Sequence, residues 1–133
     1  MNNEIKKLKM QECYKIVQNS NTGTLCLCNN GMPYATVINY DTDCYCCNLI
    51  LYFNVCKCGE AIDIISNNEN ACILVNNRYG NCRDSVLLEG TLDILEDEVD
   101  CCCNQEEKCS VSLKFTPCKI TGRRYQRSCS SNR

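Results

Sequence analysis

The sequence predicts a small α+β domain, mainly β, built on an antiparallel barrel. Three observations support this class: short alternating or β-branched runs recur along the chain, tight turn signals separate them, and helical patterns occur at only two places. A chain of 133 residues can form one hydrophobic core but is too short for two comfortable ones. We therefore treat residues 1–133 as a single domain.

The first predicted element is an amphipathic helix over residues 4–18. Ile5, Leu8 and Ile16 recur at helical spacing, and an asparagine at position 2 or 3 is available as the N-cap. The polar run "NSNTG" closes the segment, because asparagine and glycine are common where helices end.

A β-hairpin is predicted next, with its turn at Asn29-Asn30-Gly31. "TLCLC" precedes the turn and "YATVINY" follows it, and Asn-Gly between such runs suits a two-residue turn in which both residues have positive φ. Within the first strand, Cys26 and Cys28 have the spacing that places both thiols on one face. There they could replace small apolar residues in the core.

The remaining elements alternate between strands and one short helix. "LILYFNV" is predicted as the third strand, residues 60–67 as a helix, "NACILVN" as the fourth strand and "DSVLLEGTLDIL" as the longest strand. Gly90 in the middle of that strand indicates a bulge or a close backbone approach. The acidic segment 96–107 is predicted as a short helix. The last strand, "SVSLKFTPCKITG", contains Pro117, which indicates an edge position or a bend.

Charge and cysteine content restrict the function classes. The net charge of −2 offers no field that attracts nucleic acid or an anionic membrane, so we expect neither partner. The chain contains 16 cysteines, but its first residues have no apolar run of signal-peptide length, and no stretch approaches the length of a membrane span. We therefore expect a cytoplasmic protein with mostly free thiols.

The chain has no histidine, so the usual general base and one of the two commonest zinc ligands are missing. An enzyme with this composition would obtain its chemistry from a cofactor. Cys44 and Cys47 form a CxxC pair, and a cysteine-thiolate metal site is therefore one alternative function. Such a site needs four ligands, whereas only one true CxxC is present.

Five stretches of the sequence carry a family resemblance. "GTLCLCNNGMPYATVINYD", "LYFNVCKCGEAIDII", "NNENACILV", "RDSVLLEGTLDILED" and "ITGRR" follow one another within residues 8–125. In order and spacing they resemble the pyridoxamine 5'-phosphate oxidase-related FMN-binding split-barrel family, especially its short nitroimidazole-resistance-like branch. The resemblance implies a six-stranded antiparallel Greek-key split barrel with an N-terminal helix and a short helix between strands. It also implies a homodimer that binds FMN between its subunits.

The same resemblance implies a set of cofactor-binding residues and a redox reaction. The residues expected to contact flavin are Tyr34, Val37, Asn39, Tyr52, Asn54, Gly59, Ser85 and Val86, and those expected near its phosphate are Lys57 and Arg123. The implied activity is that of an oxidoreductase that resembles pyridoxamine 5'-phosphate oxidase or a nitroreductase-like flavin reductase. Its implied partners are a nicotinamide cofactor or another electron donor and a small-molecule acceptor.

The sequence departs from the family pattern at the expected phosphate site. Asn54 stands where the family usually has a histidine, and Glu60 and Ala61 stand where it has one or two lysines. Losing a lysine removes a charge-assisted bond to phosphate, and a glutamate adds repulsion. These departures favour a second alternative function, a non-catalytic flavin-binding or carrier module on the same barrel.

Overall fold

The computed structural model describes residues 3–45, 48–95 and 110–127. Its two helices and seven strands are, in chain order, β1 (Asn3–Lys7), α1 (Met10–Asn19), β2 (Thr22–Asn29), β3 (Met32–Tyr45), β4 (Asn48–Cys56), α2 (Glu60–Asn67), β5 (Asn70–Tyr79), β6 (Cys82–Ile94) and β7 (Ser110–Arg127). The α+β class is therefore confirmed, with strands dominating as predicted. The acidic segment 96–107 lies outside the described residues.

The strands form one antiparallel sheet that closes on itself. The order is β1-β7-β4-β3-β2-β5-β6, and β6 also pairs with β7. Six strands therefore make a closed ring, and β1 adds a seventh strand by pairing with residues 123–127 at the end of β7. The expected split-barrel architecture is confirmed, but the predicted count of six strands is wrong by this one.

The N-terminal segment departs from the predicted helix over residues 4–18. Its first residues form β1, and α1 begins only at Met10, where the Lys9 backbone N–H donates to Glu12 Oε1 at 2.9 Å. The extended end of β7 offers β1 a hydrogen-bonding edge. Ile5 has helical spacing with Leu8, but its side chain is 64% exposed and does not reach the core. Leu8 and Ile16 are buried as the pattern predicted.

The hairpin between β2 and β3 is confirmed. Asn30 and Gly31 have φ values of 52° and 83°, the positive values that a two-residue primed turn requires. Alternation along β2 directs Leu25 and Leu27 into the core, so Cys26 lies on the opposite face. There it is the cross-strand neighbour of Cys72 on β5, and both thiols are free. The expectation that the Cys26 and Cys28 thiols replace core residues is therefore wrong, because the leucines occupy the inward positions.

The predicted irregularity at Gly90 is confirmed as a β-bulge between β6 and β7. Glu89 pairs with Lys119 and Gly90 with Pro117, which leaves Cys118 without a residue opposite it. Pro117 was expected at an edge or a bend. Near each of its ends, β7 pairs with a strand on both sides. Pro117 itself lies between residues 110–115, which pair with β4, and residues 123–127, which pair with β1. The proline therefore occupies a bulged stretch with one paired side in the described part of the chain.

The core fills the barrel and extends beneath both helices. Phe115, Leu51 and Leu113 are fully buried in the barrel, and Val17 and Ile64 anchor α1 and α2 against it. The barrel and the base of α2 are thereby held in fixed relation, which positions the surface groove described below. In the part of the chain that the structure describes, no helix has the length and hydropathy needed to cross a membrane.

Candidate functional site

A groove opens in the barrel wall where β3 and β4 separate. These strands pair from Tyr40 opposite Phe53 to Tyr45 opposite Asn48. Before Tyr40, β3 pairs with β2, and after Phe53, β4 pairs with β7. The two strands therefore diverge, and the start of α2 lies at the open end of the gap.

The groove has a volume of about 490 Å³. Its lining residues are Tyr34, Thr36, Val37, Ile38, Asn39, Asn54, Val55, Cys56, Gly59, Glu60 and Ala61. A volume of this size falls within the range of sites that hold small molecules and cofactors. The lining combines apolar and aromatic side chains with a few polar groups, which is the usual composition of such sites.

Five of the ten residues predicted to bind a cofactor line this groove together: Tyr34, Val37, Asn39, Asn54 and Gly59. Three of them lie on β3, Asn54 lies on β4, and Gly59 is the N-cap residue of α2. Tyr34 is half-buried, whereas Val37 is 69% exposed on the other face of β3. The groove therefore follows the free edge of β3 and receives side chains from both of its faces.

The two asparagines of the groove have their carbonyl oxygens already bonded within the protein. The hydroxyl of Ser112 donates to Asn54 Oδ1 at 2.8 Å, and that of Thr22 shares its one proton between Asn39 Oδ1 at 3.3 Å and Asn21 Oδ1 at 3.1 Å. Neither amide nitrogen has a hydrogen-bond partner among the described residues. Each asparagine can therefore offer N–H donors to a ligand, and the hydroxyl bonds hold both side chains in position.

The start of α2 provides backbone donors, and the described lining of the groove contains no lysine or arginine. Gly59 is the N-cap residue, and no side chain caps the helix. The Gly59 N–H donates to the Cys56 carbonyl at 3.0 Å, so the free donors are those of the first helical turn. Glu60 and Asp63 lie in that turn, and their charges oppose an anion that the helix end would otherwise favour. Ala61 is buried and neutral.

The other five predicted residues lie outside this groove. Tyr52 sits on β4 opposite Asp41 and Lys114, and Lys57 is exposed in the turn before α2. Ser85 of β6 pairs with Arg123 of β7 on a different part of the sheet. The structure therefore places Ser85 and Arg123 on a different part of the sheet from Tyr52 and Lys57.

Val86 is fully buried in the core. Its side chain faces the core of this chain, and the contact with flavin that the resemblance implies for Val86 stays a prediction. The inward alternation of β6 explains this orientation, because Asp84, Val86 and Leu88 all face the interior.

Four lining residues escaped the sequence analysis: Thr36, Ile38, Val55 and Cys56. Thr36 could have been found from Tyr34, because residues two apart on a strand share a face. Val55 and Cys56 could not, since they line the groove only because β4 leaves β3 at that point. The alternative thiolate metal site stays a prediction, because its Cys47 lies outside the described residues. Within the described ranges, no cluster of three or more His, Cys, Asp or Glu could hold a metal ion.

No protein-family model matches the sequence, and no curated protein matches it. Solved structures do match over nearly the whole chain. A FAD-binding protein from Mesorhizobium loti aligns with a TM-score of 0.78 at 18% identity, covering 95% of this chain and 100% of its own. The FAD binding protein from Mycobacterium smegmatis aligns with a TM-score of 0.72 at 16% identity, covering 91% and 98%.

Two further neighbours carry the names that the sequence resemblance suggested. A candidate pyridoxamine 5'-phosphate oxidase from Corynebacterium glutamicum has a TM-score of 0.73 at 17% identity, covering 96% of this chain and 98% of its own. A candidate 5-nitroimidazole antibiotic resistance protein from Bacteroides thetaiotaomicron has a TM-score of 0.72 at 15% identity, covering 94% and 90%. The protein therefore has the split-barrel fold of these flavin-binding and oxidase-like proteins, in agreement with the resemblance in its sequence.

Proposed function

We propose that the groove between β3, β4 and the start of α2 binds FMN. The observation that carries this proposal is the meeting of Tyr34, Val37, Asn39, Asn54 and Gly59 in one groove. The sequence resemblance had assigned all five to the cofactor, although they are distant in the chain. Two neighbours that share the fold are named as FAD-binding proteins, which supports a flavin as the ligand class.

The residues present suit a flavin ring better than its phosphate. Tyr34, Val37 and Val55 provide apolar contacts along the free edge of β3 and on β4, and the amide groups of Asn39 and Asn54 can donate to the polar edge of the flavin ring. The phosphate end would rest on the backbone N–H groups of the first turn of α2. Glu60 lines that end, so the phosphate would gain little from side chains there.

The active form in this proposal is a homodimer in the cytoplasm that acts as an oxidoreductase. Bound FMN would supply the electron-transfer chemistry, with a nicotinamide cofactor or another donor and a small-molecule acceptor as its partners. The chain itself would bind and orient the ring. Ser85 and Arg123, together with Tyr52 and Lys57, would then contact the cofactor from the second subunit or from the rim of the groove.

A flavin-binding or carrier module without turnover is the second candidate function. The position of Glu60 favours it, because an acidic side chain at the phosphate end reduces the advantage in affinity that the phosphate gives FMN over riboflavin. Steady oxidation of NADH or NADPH by the FMN-loaded protein would exclude this candidate, and binding without turnover would support it.

Titration of the protein with FMN and riboflavin tests the proposal, with flavin fluorescence and absorbance as the readouts. We expect quenching with both ligands and a small preference for FMN. Glu60→Lys should raise FMN affinity about tenfold and leave riboflavin affinity unchanged, since a charge-assisted hydrogen bond contributes roughly 1.5–3 kcal/mol. Lys15→Gln on the exposed face of α1 is the control, and it should change neither affinity.

Two results would refute this assignment. The first is the absence of quenching by either flavin at micromolar concentration. The second is an equal effect of Glu60→Lys on FMN and riboflavin, because the proposal places only the phosphate beside that residue.

A further inference from the structure

A second pocket lies at the end of the barrel, away from the groove. Its volume is about 280 Å³, and it is formed by the turn between β5 and β6 together with the last residues of β7. Three arginines line it: Arg78 before the turn, Arg83 after it and Arg127 at the end of β7. Tyr125 and Gln126 complete its β7 wall. It shares no lining residue with the groove.

The strand register concentrates positive charge in this pocket. Arg78 and Arg83 are direct cross-strand partners on β5 and β6. Like charges placed opposite each other destabilise a sheet, so this pair opposes folding unless an anion lies between or beside them. The Arg83 guanidinium lies 5.0 Å from the centre of the Tyr125 ring, a stacking distance that restrains its position.

No carboxylate of the described residues neutralises these arginines. The nearby acid on β6, Asp84, is buried and accepts from Arg124 Nε at 2.8 Å and from a second Arg124 nitrogen at 3.2 Å. The Tyr79 hydroxyl also donates to Asp84, at 3.3 Å. Glu4 on β1 lies opposite Gln126, but it is outside the pocket lining and forms no ion pair with the arginines. The pocket therefore has three cations and no acid in its described lining.

We propose that this arginine pocket binds a small phosphate-bearing anion of the diphosphate class. Guanidinium groups form paired hydrogen bonds with phosphate oxygens, and three of them around one cavity suit a multiply charged group better than a single carboxylate. A pocket of about 280 Å³ on a chain of net charge −2 fits a small ligand better than a polyanion such as nucleic acid. The pocket and the groove have no lining residue in common, so anion binding and flavin binding can be tested separately.

Isothermal titration with inorganic pyrophosphate is the direct test, on protein with and without saturating FMN. We expect binding in both states. Arg83→Gln and Arg127→Gln should each weaken it about tenfold or more, since a hydrogen bond to a charged group contributes roughly 1.5–3 kcal/mol. Lys15→Gln removes one positive charge elsewhere on the surface and should leave the affinity unchanged. Thermal unfolding of each variant shows whether the fold is retained.

ADP and adenosine distinguish the source of the anion. Tighter binding of ADP than of pyrophosphate, without detectable binding of adenosine, indicates a nucleotide, and equal affinities indicate a free phosphate anion. The proposal is overturned if pyrophosphate does not bind, if Lys15→Gln weakens it as much as Arg83→Gln does, or if FMN displaces it. Displacement would make the pocket part of the flavin site.

Discussion

At the residue scale, Tyr40 shows how one polar group joins two elements of the core. It lies on β3, is 4% exposed, and its hydroxyl donates to the Val17 carbonyl of α1 at 2.8 Å. Burial disfavours the charged phenolate and raises the pKa of Tyr40 to about 12. The Tyr40 hydroxyl therefore donates the hydrogen bond that holds α1 on the sheet only while it is protonated.

We predict that Tyr40 makes the fold sensitive to alkaline pH. Because its folded pKa lies above the ordinary value of 10.0, its contribution is complete below pH 10 and is lost as the pH rises toward 12. Tyr40→Phe should cost about 1 kcal/mol at neutral pH, because the Val17 carbonyl loses its donor. Urea unfolding measured from pH 7 to 11 would show the variant losing less stability than the native protein above pH 10. Parallel curves for the two proteins would contradict this explanation.

Single residues also show how much of the groove could be predicted from the sequence. Tyr34 and Asn39 belong to a recognisable strand and were identified from the sequence, whereas Val86 was identified by the same resemblance and is buried. Strand alternation in the sequence predicts that Val86 shares a face with Leu88 and Leu92, and all three are buried. The resemblance marks a segment, but alternation determines which of its side chains can reach a ligand.

At the element scale, the bulge between β6 and β7 shapes the longest strand pair of the barrel. Gly90 lies opposite Pro117, and a side chain at Gly90 would overlap the Thr116 carbonyl oxygen and lie 2.8 Å from the Pro117 Cα. Both neighbours are backbone atoms, which cannot rotate away. The close approach explains why the middle of this strand contains a glycine.

We predict that Gly90→Ala destabilises the protein by at least about 2 kcal/mol, as expected when a well-packed site is overfilled. Gly59→Ala is the matched control, because its added Cβ would lie 3.3 Å from the nearest atom, the Cys56 carbonyl oxygen, and should cost less. Thermal or urea unfolding of both variants measures the difference. Equal losses of stability would show that the approach of β7 is not the cause.

The N-terminal elements show where periodicity alone is insufficient. Ile5 and Leu8 have helical spacing, but residues 3–7 form a strand because the end of β7 extends far enough to pair with them. A short segment gains more from several ladder hydrogen bonds than from starting a helix six residues earlier. Periodicity correctly identified α2 and most strands, since each of these has its own turn or cap signal.

At the scale of the whole molecule, β3 presents apolar side chains that one chain does not cover. Met32 and Val37 are each 69% exposed, and Val37 also lines the groove. Met32 and Val37 lie on opposite faces of β3, so the exposed apolar surface that borders the groove is formed by Val37. In our proposal this surface belongs to the homodimer and brings the second subunit to the cofactor.

We predict that Val37→Asp weakens the homodimer, because it places a charge in an apolar interface. Sedimentation of the native protein should show a dimer, and the variant should shift toward the monomer at the same concentration. Gln18→Asp introduces the same charge on the exposed face of α1 and should remain dimeric. A monomeric native protein, or a dimeric Val37→Asp variant, would exclude this surface as the interface.

The sequence by itself determined the α+β class, the hairpin at Asn30-Gly31, the helix over residues 60–67 and the bulge at Gly90. Each of these depends on local backbone preferences or on side-chain periodicity within a few residues. Only the tertiary structure decided that β1 joins β7, that β3 and β4 separate to open the groove, and that three arginines meet at the barrel end. These features depend on strand register between distant segments, which local patterns do not specify.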